Sequence, residues 1–218
     1  MSGGVTTKSA LVIVDMQNGF LRAASNDAAP TYVVVRAAEI LQRTAAVIRQ
    51  WRRLGAPIVF TRHGSRPEFA DTPRFYADNA NRDRPFMVTG SAEWELAAEL
   101  GVHSTDLVVD KNRFDAFLFT DLELLLRRRG VEQLVVCGVT TNLCVETSVR
   151  SATQRDFVPT VVSDCTSALT LHEHLRSLAS LQPYFARVID STALMDEVAV
   201  VGGEWPQATG EGEGGRAT

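Results

Sequence analysis

Apolar positions in this chain follow two rhythms, short unbroken runs and longer stretches that recur with a helical period. Ala10-Leu11-Val12-Ile13-Val14 is continuous and ends in Asp15, the pattern of a parallel strand buried on both faces. From about Tyr32 to Leu54 the positions Val34, Ala38, Leu41, Ala45, Ile48 and Trp51 predict a helix, which Gly55 and Pro57 stop. Further strands are predicted at Pro57 to Thr61, at Asp106 to Asp110 (followed by Lys111), at Gln133 to Gly138, at Val158 to Ser163 and at Phe185 to Asp190. Between them, Ser91 is expected to cap a helix through Leu100. Thr120 and Glu123 read as a capping box before Leu122, Leu125 and Leu126. A helix follows from about Leu143 to Arg155, a second capping box at Thr170 and Glu173 opens one to about Leu181, and Ser191 caps the last.

Strands alternating with helices imply right-handed crossovers and an α/β fold. The expected architecture is a three-layer αβα, Rossmann-like domain over residues 1–201, with a six-stranded, mainly parallel sheet covered on both faces. Residues 1–8 read as a loose arm. The stretch from His63 to Gly90 reads as a long irregular loop of the kind that serves as a lid or binding loop. Residues 202–218, rich in Gly and Glu, lack the apolar surface to order themselves.

Composition narrows the classes of function. The 218 residues are 45% hydrophobic and 22% charged, with a formal charge of -4. No dense basic block invites nucleic acid or an anionic membrane, and Arg127-Arg128-Arg129 closes a helix before Gly130, where it suits the dipole. No apolar run has spanning length, and nothing resembles a signal peptide. Three cysteines without paired spacing argue against a disulfide framework or a four-ligand zinc site, so a reducing cytoplasm is expected.

Ligands of parallel α/β sheets bind beyond the carboxyl ends of the strands. Asp15, Lys111 and Cys144 each follow a predicted strand, Cys144 across a short Gly-led turn and at the expected start of a helix. There the unpaired N–H groups and the positive dipole end favour a thiolate. An acid, an ammonium and a thiol at one sheet edge make a nucleophile with its base and an electrostatic partner. No Gly-x-Gly-x-x-Gly follows a strand, which excludes a dinucleotide-binding reading.

Three segments carry a resemblance: Leu11-Val12-Ile13-Val14-Asp15-Met16-Gln17-Asn18, Lys111-Asn112-Arg113-Phe114-Asp115-Ala116-Phe117 and Gly138-Val139-Thr140-Thr141-Asn142-Leu143-Cys144-Val145. In this order they resemble the isochorismatase-like cysteine hydrolase superfamily, which includes nicotinamidases, N-carbamoylsarcosine amidases, and biuret and ureidoacrylate hydrolases. The resemblance implies that Asp15 takes the thiol proton and returns it to the leaving amine. It implies that Lys111 orients the ionised pair and Cys144 attacks a carbonyl. It further implies a cis Val139–Thr140 peptide, an oxyanion hole from the Thr140 and Cys144 N–H groups, a thioester intermediate and no cofactor. The expected substrate is a small amide or ureide. A homo-oligomer, dimer or tetramer, is expected from the relatives, with no nucleic-acid or membrane partner.

Candidate substrate contacts are Gln17, Phe20, His63, Arg66, Phe114, Phe117 and Thr141. Asn18 and Trp94 stand beside them, with packing in the core as the alternative for the aromatic residues. Nicotinamidases carry an Asp-x-His pair and a further His that bind a divalent metal. This chain has Thr61-Arg62-His63 and no second His in the loop, so no metal site of that kind is expected. Cys137 and Cys165 read as core residues, and His172 and His174 as surface or packing residues. Two other activities compete. One is vinyl ether hydrolysis, against which the retained Cys144 argues. The other is a non-hydrolytic binding or redox-sensing role, which has no need of Asp15 and Lys111.

Overall fold

The computed structural model describes residues 4–22, 32–74 and 87–201. Strands β1 (Ser9–Val14), β2 (Ile58–His63), β3 (Leu107–Lys111), β4 (Gln133–Val139), β5 (Val158–Ser167) and β6 (Arg187–Ile189) form one sheet in the order β3-β2-β1-β4-β5-β6. Every neighbouring pair is parallel. The chain winds outward from β1 to β3, then returns past β1 to begin β4. Crossovers on the two sides of that boundary diverge, which opens a crevice at the carboxyl ends of β1 and β4.

Helices α1 (Asn18–Leu21), α2 (Ala37–Leu54), α3 (Leu122–Arg128), α4 (Glu146–Thr153), α5 (Leu171–Leu181) and α6 (Ser191–Val201) complete the described elements. The alternation of strand side chains sorts them into two layers. Leu11, Ile13, Phe60 and Val135 pack with residues of α2 and α6, including Ile48, Trp51 and Leu194. Ala10, Val12, Val14, Val59 and Val136 pack with Leu126 of α3, Val149 of α4 and Leu178 of α5. All six residues of β1 are buried, as an unbroken apolar run between two helical layers requires.

Several boundaries differ from the sequence reading, each because a tertiary bond takes a backbone group that a regular element would use. The helix expected from Tyr32 starts at Ala37, because the Val34 and Val35 N–H groups donate to Phe20 and Ala168 carbonyls and Arg36 is left-handed at φ 56°. The helix expected from Ser91 to Leu100 reduces to a 3₁₀ turn at Ala98–Leu100. Its Glu93 and Glu95 carbonyls accept from Gly19 and Asn18, and its Ala97 N–H donates to Met16. No Thr120 and Glu123 capping box forms: the Thr120 hydroxyl donates to the Ala116 carbonyl, while Glu123 pairs with Arg127 and Arg155. Strand β5 runs past Ser163 to Ser167, since a bulge takes the register from Val136↔Val161 to Gly138↔Thr166. Strand β6 is shorter than expected at its start because the Phe185 and Ala186 N–H groups fold back onto the Leu181 carbonyl. Ser191 is held by Asp164, and Asp190 instead caps α6 through the Ala193 N–H.

The second capping box is present, with Thr170 and Glu173 bonded reciprocally. The expected arm is tied down over its described part: Val5 is buried and its N–H donates to Glu197. Residues 202–218 and 75–86, which hold the expected tail and much of the expected loop, lie outside the described residues. Among the described residues no helix is long and apolar enough to cross a membrane.

Candidate active site

The crevice is floored by two sharp exits from the sheet. After β1 the chain turns at Asp15, a non-glycine residue at φ 50°. At the end of β4 it passes Gly138 at φ 121°, where a Cβ would lie 2.1 Å from the Val14 carbonyl oxygen. Only glycine lets β4 approach β1 so closely. The Val139–Thr140 peptide that follows is cis. The Thr140 carbonyl then accepts from Leu143 at 3.1 Å and from Val145 at 3.2 Å, the wide first turn of a π-type helix start. Cys144 thus sits one residue inside that wide turn, and the regular helix α4 begins only at Glu146.

These turns bring the three predicted chemical groups together. Lys111 Nζ lies 2.6 Å from Asp15 Oδ2, with both side chains fully buried. The ammonium also donates to the Arg113 carbonyl at 3.1 Å. The Cys144 sulfur lies within 4.8 Å of an Asp15 carboxylate oxygen, and the charges of Asp15 and Lys111 both act on it. Burial opposes the charge on Lys111, but Asp15 and Cys144 outweigh it, so its pKa stands above the ordinary lysine value. Cys144 behaves differently from the expected low-pKa thiol. Burial pushes it well up and the Asp15 charge adds to this, with Lys111 pulling the other way. The resting group is therefore a thiol, and only a base could turn it into a thiolate.

His63 ends β2 beside this cluster. Burial, reinforced by the Lys111 charge, lowers its pKa to about 4, so the imidazole is neutral at ordinary pH. Among the described residues its buried Nδ1 has no hydrogen-bond partner, and the centroid of the Phe114 ring lies 5.9 Å from that of the imidazole. Ligand atoms of Asp15, His63 and Cys144 lie within 4.8 Å of one another, a set with metal-binding chemistry. The cation that already occupies this cluster is the Lys111 ammonium, seated directly on the carboxylate.

Other predicted contacts are placed elsewhere. The Gln17 amide is consumed by backbone, donating to His63 and Trp94 carbonyls at 2.9 and 2.6 Å and accepting from the His63 N–H at 2.8 Å. Asn18 likewise bonds the Ala92 carbonyl and Arg22. Phe117 is core, stacked on Phe157 at 5.7 Å. Phe20 packs on the α2 layer. The Arg66 side chain is 71% exposed and leans toward Asp71. Thr141 turns its hydroxyl to His174 Nδ1 at 2.9 Å, and its carbonyl accepts from Ser177 at 3.0 Å. Cys137 and Cys165 are buried side by side in the layer of α2 and α6.

The sequence reading passed over Thr61 and the part His174 plays. Thr61 is fully buried in β2, and its hydroxyl donates to Asp15 Oδ1 at 2.6 Å. The sheet-edge rule that picked out Asp15 applies equally to the neighbouring strand end, and was the available signal. His174 lies 33 positions from Thr141, and only the docking of α5 joins them.

The parallel sheet thus brings an acid, an ammonium and a thiol together at its switch point. Residues 9–193 match the Isochorismatase domain model, and the chain belongs to that family of hydrolases. It is 32% identical over 180 residues to the uncharacterized isochorismatase family protein YecD of Escherichia coli O157:H7, covering 83% of this chain and 90% of that one. It is 28% identical over 209 residues to ureidoacrylate amidohydrolase RutB of Acinetobacter baylyi, covering 87% and 83%. The solved structure of a cysteine hydrolase from Pseudomonas syringae pv. phaseolicola 1448A superposes with a TM-score of 0.80 at 25% identity, covering 89% of this chain and 94% of that one.

Proposed function

We propose that this protein is a cysteine-dependent amidohydrolase that cleaves a C–N bond of a small amide or ureide. The observation that carries this reading is the buried contact of Asp15, Lys111 and Cys144, drawn from three strand ends. Because the thiol is protonated at rest, Asp15 accepts its proton as sulfur attacks the carbonyl carbon. Lys111 balances the charge that moves between sulfur and carboxylate. The N–H groups of Thr140 and Cys144 receive the developing oxyanion. Collapse of the tetrahedral adduct breaks the C–N bond, and Asp15 returns the proton to the departing amine or ammonia. Water then adds to the thioester, giving the acid and restoring the thiol.

His63 is the favoured substrate contact. A neutral imidazole with an unpartnered ring nitrogen suits a polar, uncharged group such as a carbamoyl amide. A relative whose name gives ureidoacrylate as substrate supports the ureide class.

The test is ammonia release from a panel of linear ureides, carbamoyl amines and simple amides, with wild type beside Cys144→Ala. Release by the wild type alone supports the reading. Equal release by the folded Ala variant would exclude Cys144 as nucleophile. Silence across the panel, with a vinyl ether hydrolysed instead, would replace the reaction class.

A further inference from the structure

Asp15 is held by a hydroxyl as well as by an ammonium. Thr61 Oγ1 accepts from the Asp15 N–H at 3.2 Å and donates to Asp15 Oδ1 at 2.6 Å. A hydroxyl has one proton, and a lone pair of this one faces an amide that can only donate. The backbone therefore sets the direction of the O–H bond, toward the carboxylate. Oδ2 meets Lys111 at 2.6 Å, so the two oxygens are fixed from opposite sides.

We propose that Thr61 is the positioning residue of the general base: its hydroxyl locks the rotation of the Asp15 carboxylate that accepts the Cys144 proton. This rests on the amidohydrolase reading only in naming Asp15 as the base of a hydrolysis. Thr61 is fully buried between β1 and β3, a place where Val has the same shape and a better fit to a strand. Burying a hydroxyl there is unfavourable unless it is bonded, and its one donor bond goes to the base. A donor to the charged form favours ionisation, so removing it makes the carboxylate harder to ionise. It also frees the carboxylate to swing toward Lys111 alone, away from the sulfur it serves.

The experiment compares Thr61→Val, which keeps the shape and deletes the donor, with Thr61→Ser, which keeps the donor. For the Val variant, kcat should fall roughly ten- to hundredfold, the span of one hydrogen bond to a charged group. KM should change by less than about threefold, since substrate binding is untouched. The acid limb of the pH–rate profile should move to higher pH, and Thr61→Ser should restore both rate and limb. Val and Ser variants equally impaired, or a Val variant with the wild-type kcat and pH profile, would overturn the proposal.

A second readout needs no substrate. Alkylation of Cys144 by iodoacetamide, followed against pH, should be slower in Thr61→Val and rise at higher pH than in wild type. Superimposed alkylation profiles would also overturn it. A shifted alkylation profile in a protein that hydrolyses no amide would uphold Thr61 and remove the amidohydrolase reading, so the two fail separately. Thermal melts confirm folding, and Thr61→Ala takes the place of Thr61→Val if the latter does not melt cooperatively.

Discussion

Cys137 and Cys144 lie on one strand–turn segment and are buried to nearly the same degree, at 0% and 3% exposure. Burial pushes both thiols above the ordinary cysteine range. What separates them is their company. Cys137 faces Cys165 in an apolar layer with α2 and α6, whereas Cys144 faces a carboxylate and an ammonium. Burial alone makes an inert thiol. In the proposed mechanism the ion pair beside Cys144 supplies a base for its proton and a counter-charge for its thiolate, so chemistry is expected at one sulfur and packing at the other.

The largest contrast is in activity. Cys144→Ala should abolish ammonia release, a loss of about four orders of magnitude or more, with an unchanged thermal melt. Cys137→Ala should keep turnover within a few-fold and lose about 1–2 kcal/mol of stability, the effect of a small core cavity. In native protein iodoacetamide should label Cys144 alone, with Cys137 and Cys165 labelled only in denaturant. Native labelling of Cys137 at a similar rate would remove the distinction.

The ion pair itself is tested through stability. Lys111→Met leaves the fully buried Asp15 carboxylate without its partner, and a loss of about 3–5 kcal/mol in urea unfolding is expected. Adding Asp15→Asn should recover most of that loss without recovering turnover. A double variant no more stable than the single one would mean that Lys111 supports the fold mainly through its Arg113 bond.

Next in size is an effect of pH. His63 titrates near 6.5 when unfolded and at about 4 in the native site. Between those values the unfolded chain binds the extra proton, so stability falls as pH drops from about 6.5 to 4 and loses nothing further from this group below that. The window corresponds to about 3 kcal/mol at most. His63→Phe should flatten this part of the stability–pH curve, measured as urea midpoints at pH 7 and pH 5. An unchanged slope in the variant would place the acid sensitivity elsewhere.

How far this site could be read before the fold was seen follows the same division. Asp15, Lys111 and Cys144 were legible because the first two end strand runs and the third follows one across a short turn, and a parallel sheet gathers its strand ends. Thr61 closes a predicted strand, so the same rule could reach it, but the bond it makes to Asp15 depends on the pairing of β1 with β2. Gln17 and Thr141 stand inside the motifs, yet their polar atoms close turns with His63, Trp94 and His174. Residue type cannot separate a group that holds the scaffold from one that meets a ligand. Helix boundaries failed for a related reason. The Ser91 to Leu100 pattern suits a helix, but its carbonyls are taken by α1. The expected low-pKa thiol failed because the first turn is widened and desolvation outweighs the favourable charges.

The smallest expected effect lies in the other helical layer from Cys137. Thr170 caps α5 through the Glu173 N–H, and Glu173 returns a bond to the Thr170 N–H. Thr170→Ala should lower stability by about 1 kcal/mol, the usual loss of a helix cap. Helix α5 also holds the turn that carries Cys144, through His174 on the Thr141 hydroxyl and Ser177 on the Thr141 carbonyl. Ser177 lies about two turns beyond the cap and is buried, so a frayed first turn leaves its bond in place. Activity in Thr170→Ala should therefore stay within about twofold of wild type. A larger fall in kcat at unchanged KM, in a variant that still melts cooperatively, would show that His174 must be held firmly for Cys144 to be aimed. The boundary between scaffold and site would then move outward by one helix turn.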